Sequence, residues 1–139
     1  MEDIALHDKI LGADLPSTQA LAYLGDAAYS LFVRRMLVES GLTKAKDLNR
    51  EALKYVTAEA QAEMYRRIEH LLLDDERDVF RRAANSTHLN RPKHASVTDY
   101  RYATGFEAVI GMLAWIKDDE RLEELLKAAH TEVKNDTEN

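Results

Sequence analysis

The chain has no cysteine, which excludes a disulfide framework and a thiolate zinc site. That composition suits a reducing compartment. Only two prolines occur, Pro16 and Pro92, and both fall between periodic segments. Long apolar runs are absent too: none approaches the roughly 18 residues of a membrane span. The opening stretch, MEDIALHDKI, carries acids where a secretory leader would carry a basic region. The expectation is a cytoplasmic protein with no membrane partner. Hydrophobic residues make up 45% and charged residues 32% of the 139 positions, an ordinary balance for one globular domain. That domain is expected to have its core between about residues 15 and 133, with a polar tail behind it.

A surplus of positive charge is also missing. The formal net charge is −6, which at face value disfavours nucleic acid. The distribution is uneven, however. Between residues 81 and 101, Arg81, Arg82, Arg91, Lys93 and Arg101 face the single acid Asp99, so this window carries +4 and the remainder −10. A basic loop on an acidic body has the makings of a phosphate-binding surface, although a solvated surface segment would look the same in composition.

What is present is helical periodicity almost throughout, and the fold class is expected to be all-α. Residues 1 to about 12 form a possible lead-in helix. Pro16-Ser17 opens a long helix to about Ser40, with Gly41 as its stop. Thr43 is placed to cap the next helix and Thr57 to restart it, the pair ending near Leu72. Asp74, Asp75 and Glu76 crowd the positive end of a further helix that ends near Ala84. Residues 85–95, NSTHLNRPKHA, read as a loop. Ser96 and Asp99 have capping-box spacing for a helix to about Lys117, and a last helix spans about Asp119 to Val133.

Two of these helices carry an acid where the pattern calls for core. LAYLGDAAYS places Gly25 and Asp26 mid-helix, and YATGFEAVIGMLAW places Glu107 in similar company. Glycine costs about 1 kcal/mol against alanine in a helix interior, and a buried carboxylate needs a partner. On a helical wheel Asp26 shares its face with Ala22, Tyr23, Tyr29, Ser30 and Val33. Glu107 shares its own with Tyr100, Ala103, Thr104, Ile110, Gly111 and Ala114. One such acid is commonly explained by a tyrosine hydrogen bond or a buried ion pair. Two, each closely preceded by glycine, suggest facing carboxylates that repel unless a cation lies between them. Mg²⁺ accepts one or two carboxylates and keeps several waters, and a carboxylate-held Mg²⁺ suits phosphodiester hydrolysis.

Leu24-Gly25-Asp26-Ala27 resembles the signature helix of the ribonuclease III family, and Phe106-Glu107-Ala108-Val109-Ile110-Gly111 resembles its second acidic motif. More closely, the chain is similar to the Mini-III branch, which has the catalytic domain alone. Tyr23–Ala27, Tyr55–Gln61, Arg81–Asn85 and Tyr100–Glu107 match its segments in order, within a resemblance covering about residues 15–130.

The resemblance implies an all-α, homodimeric endonuclease that cleaves double-stranded RNA with Mg²⁺, or Mn²⁺ in its place, leaving 5′-phosphates. It implies the 23S ribosomal RNA precursor as natural substrate, with a ribosomal protein as a further candidate partner. It assigns Asp26 and Glu107 to catalysis and metal binding, and Tyr23 to the dimer interface. Arg81, Arg82, Asn85, Arg91, Lys93 and His94 would face RNA. Two acids usual in ribonuclease III proper are missing, with Ala22 and Thr104 in their places, so fewer protein oxygens and more waters are expected around the metal. No double-stranded-RNA-binding domain is expected to follow, so the catalytic dimer is expected to bind the duplex itself, across its minor groove.

Other residues have plainer readings. Trp115, Phe32 and Phe106 lie on apolar faces and are expected in the core. His88 and His94 lack ligand spacing. Glu59 and Glu63 read as solvated acids, and Asp118-Asp119-Glu120 as a helix start. Two alternatives to a nuclease stay open: an all-α nucleotide pyrophosphohydrolase using Glu120 and Glu123, and a catalytically inactive RNA-binding module on the same fold.

Overall fold

The computed structural model describes residues 15–86 and 95–138, with side chains to residue 131. The described residues form six α-helices and no strand, in keeping with the all-α reading. They are α1 (Thr18–Glu39), α2 (Ala45–Val56), α3 (Ala58–Ile68), α4 (Asp74–Ser86), α5 (Val97–Trp115) and α6 (Asp119–Glu138), with one 3₁₀ turn at Glu69–Leu71.

The helix ends follow local chemistry. Ser17 Oγ accepts from the Ala20 amide at 3.1 Å, Thr57 Oγ1 from Ala60 at 3.1 Å, and Ser96 Oγ from Asp99 at 2.9 Å. Each satisfies one of the amide donors that a helix start leaves unpaired. After α1, Gly41 turns the chain with φ +104°, a conformation that other residues adopt at a cost. Thr43 does not cap α2. Lys44 holds the cap position, without a side-chain cap bond.

α5 is the axis of the fold and packs against α1, α3, α4 and α6. It is buried at every position from Ala108 to Leu113, as well as at Ala103, Gly105 and Phe106. Covered on all sides from Ala108 to Leu113, the helix needs no polar stripe there, which accounts for the continuous apolar run in its second half. α1 lies along it and turns Leu21, Gly25, Tyr29, Val33 and Leu37 inward. The Tyr29 ring meets Phe106 edge-on at 5.3 Å, and its hydroxyl donates to the Tyr55 carbonyl at 3.0 Å.

Glu76 is more than a helix-start acid. It is fully buried, caps α4 by accepting from the Leu73 amide at 2.8 Å, and receives both Nε and Nη2 of Arg121 at 2.8 Å. Arg121 Nη2 also donates to the Leu71 carbonyl at 2.8 Å, joining the α3–α4 connection to α6. Aromatic placement departs from expectation once. Phe106 is buried and Phe32 half-buried, but Trp115, at the last turn of α5, is 51% exposed. It falls on the less covered side of α5, shared with half-exposed Tyr100 and Thr104, while Leu113 and Ile116 beside it are buried.

Candidate active site

The mid-helix glycine in α1 is explained by its neighbour. A Cβ on Gly25 would collide with the carbonyl oxygen of Glu107 and lie 2.8 Å from the Gly111 nitrogen. Reciprocally, a Cβ on Gly111 would collide with the Leu21 carbonyl oxygen and lie 3.0 Å from the Gly25 nitrogen. The two helices therefore cross backbone to backbone, closer than side chains of any size allow. Asp26 follows the first glycine and Glu107 precedes the second by one turn. The crossing brings their carboxyl groups into hydrogen-bonding contact.

The two acids sit in different surroundings. Asp26 is on the exposed side of α1, whereas Glu107 is half-buried in the crossing. Loss of water and the neighbouring Asp26 carboxylate push the Glu107 carboxyl up to about 8, and a hydrogen bond with Gln61 offsets part of that rise. Two carboxyls in contact cannot both ionise freely, so without a cation one of them holds a proton.

Gln61 joins the pair from a third helix, and the sequence pattern does not single it out. It lies in the first turn of α3, only 2% exposed, and its Nε2 donates to the Val56 carbonyl at 3.0 Å. That carbonyl belongs to the end of α2, where the restart at Thr57 leaves acceptors without intrahelical donors. Among the described residues Gln61 Oε1 has no hydrogen-bond partner, although it is buried. A buried acceptor left unpaired costs about 1–3 kcal/mol and calls for a reason. The local signal is weak: a lone amide between Ala60 and Ala62, in a segment whose two glutamates are the more conspicuous polar groups.

The groups in contact are thus two carboxylates and one amide, all hard oxygen donors. Among the described residues no group of three or more His, Asp or Glu side chains is placed to hold a metal. Ala22 is buried and Thr104 half-buried, and neither brings a carboxylate. This donor set fits a cation such as Mg²⁺ or Mn²⁺ that retains much of its water, and it lacks the nitrogen and sulfur ligands typical of zinc.

Among the described residues, no hydrogen bond or ion pair joins the remaining candidate residues to the carboxyl pair. Arg81 and Arg82 are exposed on α4, and both are paired with Asp78, at 2.7 and 3.0 Å. A charge window begun at residue 81 leaves out this acid, so the basic segment is partly neutralised by its own helix. Asn85 is exposed, and its Oδ1 accepts from Arg101 Nη2 at 2.6 Å while Arg101 Nε donates to the Ala84 carbonyl at 3.0 Å. Arg91, Lys93, His94 and His88 lie outside the described residues, as does the possible lead-in helix. Tyr23 stands outward from α1, 85% exposed, on a side of the helix shared with exposed Leu31 and Val38. Glu59 and Glu63 are exposed, the latter within 3.4 Å of Arg67. Asp118 Oδ1 accepts from the Arg121 amide at 3.2 Å, as a helix-start acid should.

The ribonuclease III domain matches residues 19–117, a span that runs from the start of α1 past the end of α5 and includes both acids. The chain belongs to the ribonuclease III family. Mini-ribonuclease 3 of Symbiobacterium thermophilum is 46% identical over 109 residues, 78% of this chain and 84% of that protein. Mini-ribonuclease 3 of Streptococcus pneumoniae is 43% identical, over 77% of this chain and 85% of its own length. That of Brevibacillus brevis is 37% identical over 89% of this chain and 92% of its own. A crystal structure of a Fusobacterium nucleatum protein superposes with a TM-score of 0.74 at 30% identity, covering 80% of this chain and 90% of the other. The all-α expectation and the Mini-III resemblance are therefore both borne out, and the activity is that of an endoribonuclease. Ribonuclease III enzymes generally depend on divalent metal and form 5′-phosphate ends. Among the described residues no helix is long and apolar enough to cross a membrane.

Proposed function

We propose that the chain is a Mg²⁺-dependent endoribonuclease acting on double-stranded RNA as a homodimer, with the 23S ribosomal RNA precursor as natural substrate. The observation that carries this reading is the contact between Asp26 and Glu107 at the Gly25–Gly111 crossing. Two carboxyls held together on rigid helices form a fixed anionic point where a hydrated divalent cation is favoured. When bound, that ion supplies an acidified water and neutralises charge on a phosphodiester. Asp26, on the exposed side, is the acid that reaches toward substrate, and Glu107 anchors the pair from within.

Arg81, Arg82 and Asn85 supply an exposed polar edge on α4 for phosphates, and Arg91, Lys93 and His94 continue it in sequence. Tyr23 with Leu31 and Val38 supports the dimer, because three large exposed apolar side chains on one helix face suit a covering subunit. The pyrophosphohydrolase alternative finds less support. Glu120 and Glu123 are both exposed, and Glu123 is paired with Lys127 at 3.0 Å.

The test is incubation with duplex RNA, single-stranded RNA and nucleoside triphosphates, with Mg²⁺ or with chelator. Mg²⁺-dependent cutting of the duplex alone is expected, abolished in Asp26→Asn and Glu107→Gln. Uncut duplex would end this assignment and leave an inactive RNA-binding module, whereas cutting that both variants retain would remove Asp26 and Glu107 from the active site.

A further inference from the structure

We infer that Gln61 is a positioning residue of the metal site, orienting Glu107 with its amide group and offering Oε1 as an acceptor to the hydration shell of the cation. The inference rests on the metal-dependent reading above and goes beyond the two acids.

Three observations converge on this side chain. It is 2% exposed, so it does not serve as an ordinary surface amide. Its nitrogen is committed, donating to the Val56 carbonyl at the α2–α3 elbow, and the amide lies close enough to Glu107 to lower its carboxyl. Its oxygen is buried and has no partner among the described residues. Fixing the nitrogen at the elbow fixes which way the oxygen faces, since the amide is planar. An amide oxygen accepts hydrogen bonds and carries no charge. It can therefore stand beside two carboxylates without adding to their repulsion, yet still satisfies water protons polarised by a divalent ion. This also gives a reason why the site tolerates Ala22 and Thr104. The third oxygen comes from α3 rather than from a further acid on α1 or α5.

A purely structural role would be limited to capping the α2 terminus, and the two roles separate experimentally. Binding of Mn²⁺ to the RNA-free protein is followed by electron paramagnetic resonance, alongside helical circular dichroism and melting temperature, for wild type, Gln61→Leu, Gln61→Glu and Glu107→Gln. Gln61→Leu keeps the bulk and removes both polar atoms. It is expected to weaken Mn²⁺ binding about 10–100-fold, the usual cost of removing a supporting group around a metal ligand. Gln61→Glu loses the same bond to Val56 but keeps an oxygen, and is expected to bind Mn²⁺ at least as tightly as wild type. A folded Gln61→Leu that binds Mn²⁺ like wild type would overturn the inference. If Gln61→Leu does not fold, Gln61→Glu decides alone: weakened Mn²⁺ binding in that variant would overturn it equally. The Glu107→Gln arm tells the two readings apart. Mn²⁺ binding abolished there but kept in Gln61→Leu removes Gln61 only, whereas Mn²⁺ binding unaffected by Glu107→Gln removes the metal site and Gln61 with it.

Discussion

Gly25 and Gly111 lie against each other's helix backbone, so that a methyl group on either would enter the carbonyl oxygen of the opposite helix, Glu107 in one case and Leu21 in the other. The acid pair depends on this closeness, because Asp26 and Glu107 ride on the same two turns. Overpacking a flexible core costs about 1–3 kcal/mol, and here the obstacle is backbone that cannot rotate away. Gly25→Ala and Gly111→Ala are each expected to destabilise by about 3 kcal/mol, lowering the melting temperature by roughly 10 °C. Thermal melts check this. An unchanged melting temperature in both variants would mean the helices can part at no cost.

Asp26→Asn should act oppositely on the metal-free protein. Removing one of two carboxylates in contact relieves the repulsion and lowers the Glu107 carboxyl from about 8. The expected outcome is a higher melting temperature in chelator at pH 7 together with loss of duplex cleavage. A variant that is both inactive and less stable would point to a different role for Asp26.

The same carboxyl gives a pH dependence with a definite sign. Glu107 ionises near its ordinary value of 4.5 when unfolded and near 8 in the metal-free fold, so the folded state binds more protons between those values. Its contribution to stability is present in full below about pH 4 and is lost as pH rises through 8. Metal binding needs the deprotonated form, so Mn²⁺ affinity should rise over the upper part of this window, with proton release. Titration calorimetry at pH values from about one unit below to about one unit above neutrality measures it. In Glu107→Gln the stability trend should flatten, and an unchanged slope would exclude Glu107 as its source.

The sequence exposes much of this arrangement because the informative residues break a local rule. Glycine and aspartate inside an apolar helix, and glutamate inside another, are conspicuous against a 3.6-residue pattern, and Thr57 and Ser96 mark helix starts by side-chain chemistry alone. What stays hidden depends on distance in the chain. Nothing near Glu76 indicates that its partner is Arg121, 45 residues away. Gln61 breaks no pattern, since its burial is set by where α3 meets α5. Trp115 looks like core on a wheel, yet it lies on the side of α5 shared with half-exposed Thr104, and which side stays uncovered is set by the packing of distant helices. Asp78 escapes notice for a simpler reason: charge pairs with the preceding turn of a helix, outside a window begun at residue 81.

The Glu76–Arg121 pair carries its own prediction. Glu76 is fully buried and Arg121 half-buried, and the guanidinium also holds the Leu71 carbonyl. Removing one partner of a buried pair strands the other, at about 3–5 kcal/mol. Arg121→Met should show that loss in urea denaturation. Glu76→Gln combined with Arg121→Met should recover part of it, because no charge is then left without water. A fully additive double variant would mean the two residues act separately.

Asp78 offers a direct test of the proposed RNA surface on α4. It pairs with both Arg81 and Arg82 on an exposed surface, where such bridges are worth little to stability, typically below about 1 kcal/mol. It nevertheless offsets part of the charge that α4 presents. If these arginines meet phosphates, Asp78→Asn should tighten binding of a catalytically inactive protein to duplex RNA and steepen its salt dependence. Arg81→Gln with Arg82→Gln should do the reverse, reducing the logarithmic slope by about 1 for each phosphate no longer neutralised. Binding isotherms between low and moderate salt, in the Glu107→Gln background to prevent cutting, give both slopes. Parallel lines for all three proteins would remove α4 from the RNA surface and leave that task to residues further along the chain.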